Sequence, residues 1–381
     1  MNKLKIDKLL FARVNMLSGK DECECIVYAN DFERTKKILN KNKIKILNEY
    51  LCIKAFRVKL NRGAILSLSM VSQIKFISAI SKVQTLMHVA KDILGVKDSH
   101  LTGEGQTIAF IDTGISSHLD FYLGQNRLIF FKDFVGEKSL CYDDNGHGTF
   151  VAGVASGNGA LSCGKFCGVA PRSKIISLKA LDRQGEASAD KILNAMEWVY
   201  DNYKKHDIKV VCMSFGSEAL GLNDPIMNGA ESLWQEGVFV VSAAGNSGPE
   251  YQSIKSPGVS NKIVTVGGFD DNRMGDVFDE KFFEIANFSS RGPAFKRFKP
   301  DLVAPAVDVI SCGVKKDYVK LSGTSVATPM VAGVSLLLLE KYPNLTPNEI
   351  KKMLSFSCKS ICFNRNFEGF GYPNLKRLHI N

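Results

Sequence analysis

The chain has no long hydrophobic run. Its longest apolar stretch, Val331–Leu339, falls far short of the ~20 residues that a membrane-spanning helix needs, so no membrane span is expected. The opening segment, MNKLKIDKLLFARVNML, is broken by Asp7 and Arg13 and has no clean apolar core of a secretory signal, which makes a cytoplasmic location the expectation. Cysteine is present at ten positions but not as a framework. Cys23/Cys25, Cys163/Cys167 and Cys358/Cys362 are close pairs, yet none builds the doubled C-x-x-C spacing of a zinc site, so reduced thiols are expected. The net charge is +10, with a sequence pI of about 9.0. The basic residues are scattered, with only modest clusters at Lys296–Arg297 and Lys351–Lys352, and no basic stripe alternates with aromatics. That argues against a nucleic-acid partner. No G-x-G-x-x-G follows a first strand, since Gly103 and Gly105 precede theirs, and a dinucleotide fold loses its fingerprint.

What is present suffices for a large core: 381 residues, 45% of them hydrophobic, with a length that suggests two or three domains. Residues 1–90 stand apart. Cys23–Ala29 reads as a strand, and Asp31 can cap a helix over Glu33–Leu39. Ile44–Leu47 and Leu51–Leu60 read as strands, Gly63–Val71 as a helix and Ile74–Ile80 as a last strand. This β-α-β-β-α-β order predicts a small α+β unit of ferredoxin-like type. Residues 81–103 form a mixed connection ending in a turn-rich LTGEGQ. From Gln106 onward strands and helices alternate. The strands are Thr107–Ile111, Lys174–Lys179, Val210–Met213, Val238–Ser242, Ile263–Val266 and a short Val307–Ile310. The helices cover Gly146–Ser156, a segment after Ser188, and Pro225–Gln235. Strands apolar throughout, separated by helices, predict an α/β parallel sheet flanked by helices on both faces. Sites in such sheets collect beyond the carboxyl ends of strands, where Asp112, Ser214 and Asn246 fall.

Three residues have special settings: Asp112 in AFIDTG, His147 in DDNGHGTFVAG and Ser325 in GTSVATP. Ser325 opens a long apolar run that reads as a buried helix, with Pro329 tolerable only within its first turn. A hydroxyl at a helix N-terminus is well placed to attack a carbonyl, because nearby N–H groups can hold the resulting oxyanion. Histidine can accept and return the proton that serine must lose, and a carboxylate can orient the imidazole. Asn246, in SAAGNSGP, can supply a side-chain donor to the oxyanion beside the Ser325 N–H. Taken singly, each has a plainer reading: a strand-end turn former, a polar helix-start residue, a capped helix entry, an αL-tolerant turn. Together, in the order Asp, His, Asn, Ser on one scaffold, they point to acyl transfer.

These segments, with GVAP (168–171), FSSRGP (288–293) and KPDLVAP (299–305), resemble the subtilisin-type serine protease family over about two-thirds of the chain, from about 90 to 360. SSRGP and KPDLVAP resemble its intracellular bacterial, AprX-type branch. The resemblance implies a serine endopeptidase with Asp112, His147 and Ser325 as triad and Asn246 as oxyanion donor. It implies that Ser214, Phe215 and Gly216 form one wall of the specificity pocket, Ala243, Ala244 and Gly245 the other, and that the segment from Gly185 clamps the substrate. Polypeptide substrates would then bind extended, through main-chain pairing. No cofactor is required for the chemistry. Structural calcium is possible but not placed, because the Gly157–Lys165 loop lacks a carboxylate and Asp143 and Asp144 read more simply as a solvated acidic turn. The family further implies that residues 1–88 are a propeptide, an inhibitory and chaperone partner of residues 89–381, with Val83–Met87 as its tail and self-cleavage near Leu86–Val89. Phe150, Phe215 and Val326 depart from the family's usual histidine, leucine and methionine without removing a catalytic atom. A rival reading, a non-catalytic peptide-binding scaffold of the same shape, would be expected to have lost a triad residue, and all three are present.

Overall fold

The computed structural model describes residues 5–6, 10, 21–79, 86–97, 99–136, 138–273 and 278–378. These fall into two compact units, 1–83 and 84–381.

The first unit runs β1 (Glu22–Ala29), α1 (Phe32–Lys41), β2 (Ile46–Tyr50), β3 (Ala55–Asn61), α2 (Arg62–Ser69) and β4 (Ile74–Ala79). Its sheet has the order β2-β3-β1-β4, with β1 antiparallel to both neighbours and β2 antiparallel to β3. In β1, Cys25, Val27 and Ala29 are buried while Glu24, Ile26 and Tyr28 are not, the period-two pattern of a sheet with one covered face. Asp31 caps α1 as expected, its side chain accepting from Arg34 N at 3.0 Å. The extended run expected over Leu51–Leu60 is interrupted. Leu51–Ile53 is a 3₁₀ turn, Lys54 has φ 49°, and the strand begins only at Ala55.

The second unit opens with α3 (Leu86–Ile93), inside the connection that had read as mixed. Its sheet contains β5 (Thr107–Asp112), β6 (Leu128–Asp133), β7 (Lys174–Lys179), β8 (Ile208–Met213), β9 (Phe239–Ala243), β10 (Val264–Asp270), β11 (Glu284–Ile285) and β12 (Leu302–Pro305). The order is β11-β10-β9-β8-β5-β7-β6, with β12 also beside β10. Every pairing is parallel except β10 with β11. The helices are α4 (His147–Ser156), α5 (Ala189–Asn202), α6 (Pro225–Gln235), α7 (Thr324–Lys341) and α8 (Pro347–Ser357). β5 is buried along its whole length, as a strand covered on both faces must be. Two expectations change. The last sheet strand is Leu302–Pro305, whereas Val309–Cys312 (β13) leaves the sheet and pairs antiparallel with Tyr318–Leu321 (β14). Leu128–Asp133 also joins the sheet at its edge, where one-sided cover mixes buried and exposed residues and hides the apolar signal.

β5 is the strand at which the order reverses, with β7 and β6 on one side and β8, β9 and β10 on the other. Ligands bind outside the carboxyl ends of parallel strands at such a switch point. Asp112 is the last residue of β5, Ser214 follows β8, and Ala244–Asn246 follows β9, so one rim receives all three. The described residues contain no helix long and apolar enough to cross a membrane. No disulfide joins the nine cysteines whose side chains are described.

Candidate active site

The carboxylate comes first because it is the most rigid. Asp112 ends a strand hydrogen-bonded on both sides and is 2% exposed. Its Oδ1 accepts from Thr113 N at 2.8 Å and meets His147 Nδ1 at 2.8 Å, which places the proton-donating tautomer toward the acid. Among the described residues its buried Oδ2 has no hydrogen-bond partner.

His147 is the first residue of α4, and that helix start is built by an acid the sequence reading had set aside. Asp143 accepts from Gly146 N (2.8 Å), Thr149 N (2.9 Å), the Thr149 hydroxyl (2.6 Å) and the Thr113 hydroxyl (2.9 Å). It satisfies first-turn amides and opposes the positive end of the helix dipole. Asp144 pairs with Lys179 at 2.7 Å, and the same ammonium donates to Thr113 O at 2.7 Å. The donors around both acids are those of an anionic cap and an ion pair, so these carboxylates do not fit a cation-binding loop. Burial works against the His147 imidazolium, but Asp112, with a further contribution from Asp143, outweighs it and holds the imidazole above its ordinary value.

Ser325 is the second residue of α7, and within Thr324–Leu339 it alone is not buried. The helix begins straight after Gly323, so Pro329 lies in the second turn rather than the first, and the Ser325 carbonyl loses its amide partner four residues on. α4 and α7 pack against one another. A methyl group on Gly333, eight residues past Ser325, would meet Ala155 O, eight residues past His147, at 3.4 Å. His147 meets Asp112 at the carboxyl end of β5, and the hydroxyl of Thr324, the first residue of α7, accepts from Gly245 N just past β9 at 3.2 Å, so both helix starts open onto the same rim. Among the described residues no hydrogen bond yet links His147 Nε2 to Ser325 Oγ; such contacts often tighten only with substrate bound.

Asn246 is oriented by Thr324, whose N–H donates to Asn246 Oδ1 at 2.9 Å and whose hydroxyl lies 3.0 Å from it. A backbone N–H can only donate, so the atom facing it is the oxygen, and Nδ2 points the other way. A methyl group on Gly323 would sit 3.2 Å from Ser325 Oγ and 3.3 Å from Asn246 Nδ2, and φ of 153° there also favours glycine. The space before the hydroxyl is thus kept open, with a donor facing it. The Ser325 N–H, a first-turn amide without a carbonyl in its own helix, is a second donor.

A cavity of about 260 Å³ opens beside Ser325 and Asn246. Ser214, Phe215 and Gly216 line one side, and Ala243 and Gly245 the other. One residue expected in the wall does not line the cavity. Ala244 is fully buried behind its wall, with its N–H on Val266 O and its carbonyl on Lys255 N, both at 2.9 Å. Gly185, expected on the segment that clamps the substrate, sits in a turn with φ 80° beside Asn145. Three contributors were missed: Lys255, Ser247 and Thr324. Thr324 stood within GTSVATP, and its place directly before Ser325 was the available signal; nothing local marked Lys255. The FSSRGP segment braces this wall, because Ser290 N donates to Gly245 O (3.0 Å) and Ser290 Oγ accepts from Ser247 N (3.1 Å). A larger cavity of about 700 Å³, bordered by Phe131, Lys132, Lys138 and Trp198, holds none of these groups. Among the described residues one further cluster of ligand-type side chains, His118, Asp120 and Cys312, is buried. Its acid is taken up by Gly159 N, Leu161 N (both 3.1 Å) and the Tyr318 hydroxyl (2.9 Å).

Comparison with known proteins agrees with this geometry. The Subtilase family model matches residues 103–372. The chain is 36% identical over 352 residues to Serine protease AprX of Bacillus subtilis (strain 168), covering 85% of this chain and 78% of that protein. It is 28% identical over 355 residues to the Thermostable alkaline protease of Halalkalibacterium halodurans, covering 91% and 90%. Among solved structures, a psychrophilic protease named S41 aligns with a TM-score of 0.65 at 28% identity, over 78% of this chain and all of that one. A cold-adapted subtilisin-like serine proteinase aligns at 0.61 and 27% identity, over 76% and 97%. Matched by the family model over most of its length, by relatives in sequence and by solved structures in fold, the chain belongs to the subtilase family of serine endopeptidases.

Proposed function

We propose that Asp112, His147 and Ser325 are the triad of this endopeptidase. The observation that carries the assignment is the 2.8 Å contact between Asp112 and His147 at the rim shared with Ser325. His147 takes the Ser325 proton, and the oxygen attacks the peptide carbonyl. Asn246 Nδ2 and the Ser325 N–H hold the oxyanion. His147 then protonates the leaving amine, and water releases the acyl group. The substrate is an extended polypeptide whose side chain before the cut enters the cavity between Ser214–Gly216 and Ala243–Gly245. A fluorophosphonate probe tests this. It should label the wild type and not Ser325→Ala, whose kcat should fall by roughly a millionfold, the scale known for subtilisin itself. Folded, processed protein that takes no label would overturn the assignment.

Residues 1–88 act, on the same reading, as a propeptide that assists folding and blocks the site. Support comes from the separate core of the first unit, with Val27, Phe56, Val58 and Ile77 fully buried. Val83–Thr85 of the expected tail lie outside the described residues, and Leu86–Val89 is the first turn of α3. A protease reads extended backbone, so cutting at Leu86–Val89 requires that turn to unwind. N-terminal sequencing of active enzyme should find Met1 removed; an intact Met1 would refute processing.

A further inference from the structure

Among the described residues lining the cavity beside Ser325, Lys255 is the one charged side chain. Its placement is built rather than incidental. Lys255 N donates to Ala244 O at 2.9 Å, and the next residue exchanges two backbone hydrogen bonds of 2.9 Å with Ser217. The segment is therefore tied to both walls. Between those walls the stem is pinched by two glycines. A methyl on Gly216 would come within 2.6 Å of Lys255 Cβ, and one on Gly245 within 2.5 Å of Lys255 Cγ. Gly245 has φ 104°, so a side chain there is excluded twice over. The lysine is 20% exposed, and its ammonium is paired with Glu218, which is 83% exposed. A pair with one member in water is weakly held, and a four-carbon stem lets the ammonium turn from Glu218 to another anion.

We propose that Lys255 is a specificity-determining residue that selects an acidic side chain, Glu or Asp, immediately before the scissile bond. The inference rests on the assignment of this cavity as the pocket for that side chain. Docking a substrate carboxylate replaces Glu218 as the partner of Lys255, in a site drier than the surface where Glu218 sits. Glutamine has the same shape without the charge, so the contrast between the two isolates the effect. A charge-assisted hydrogen bond in such a pocket corresponds to a preference of about ten- to a hundredfold.

The test is kcat/KM on peptides differing only in Glu or Gln before the cut, run with fluorophosphonate labelling of the same preparations. Wild type should favour Glu over Gln by about ten- to a hundredfold. Lys255→Met should bring the ratio to about one, Lys255→Arg should restore most of it, and Glu218→Gln should raise it by removing the competing anion. A ratio near one in labelled wild-type enzyme overturns the specificity claim and leaves the hydrolase assignment standing. A Glu preference that survives in Lys255→Met, or that falls in Glu218→Gln, also overturns it. Absence of labelling together with absence of cleavage overturns both.

Discussion

The two units handle acidic residues in opposite ways. In the first, strands alternate buried and open positions, and acids stay at the margin, as Asp31 does at the start of α1. In the second, parallel strands are covered on both faces, and acids at or beside their ends are sealed in: Asp112 is 2% exposed and Asp301 6%. A margin acid can contribute stability but cannot hold another group still. A buried acid costs desolvation energy that its partners must offset, and in return it orients them. The proposed triad lies where the second arrangement is possible.

Asp112→Asn probes that contrast most sharply. It keeps the volume at the strand end and removes the charge, so kcat should fall by about 10⁴-fold. The pH profile gives an independent readout. In the wild type the raised value of His147 means that neutral base, and hence activity, develops only as pH climbs past it. Without the carboxylate that value drops, and the acidic limb of kcat/KM should move to lower pH. An unmoved limb would show that Asp112 does not set the titration.

Asn246→Ala removes the donor but not the nucleophile. The expected loss is about 10²–10³-fold in kcat, with KM little changed. A loss confined to KM would mean that Asn246 binds the ground state rather than the oxyanion.

The comparison extends to stability. Asp301 accepts from Thr265 N at 2.8 Å and pairs with Lys299 at 2.6 Å and Lys351 at 2.9 Å. Burial pushes Lys299 down to about 8 even with this partner present. Asp301→Ala strands a buried ammonium and should destabilise the second unit by about 3–5 kcal/mol in denaturant titrations. Asp31→Ala, which removes only the cap of α1, should cost about 1 kcal/mol. Equal losses would erase the distinction between margin and core acids.

Much of this was legible. Asp112, His147, Asn246 and Ser325 each sit in a short motif whose neighbours are dictated by local geometry: a strand end, a helix start, a turn. The α8 start was also legible, because Thr346 and Glu349 form a capping box in TPNE that went unread. Asp143 was not, because its donors include Thr113, thirty residues earlier, and Thr149, six residues on. Lys255 was not, because its role comes from Gly216 and Gly245, on the ends of two other strands.

The amino-acid order alone determined the central buried strands, the candidate catalytic groups and the change of pattern between the two units, because these follow from periodicity and from motifs a few residues long. Only the tertiary structure decided which side chains share a wall. The hydrogen bond between Asp112 and His147 spans 35 positions and the one between Thr324 and Asn246 spans 78. Such pairings depend on strand order and helix packing, and no local rule encodes them.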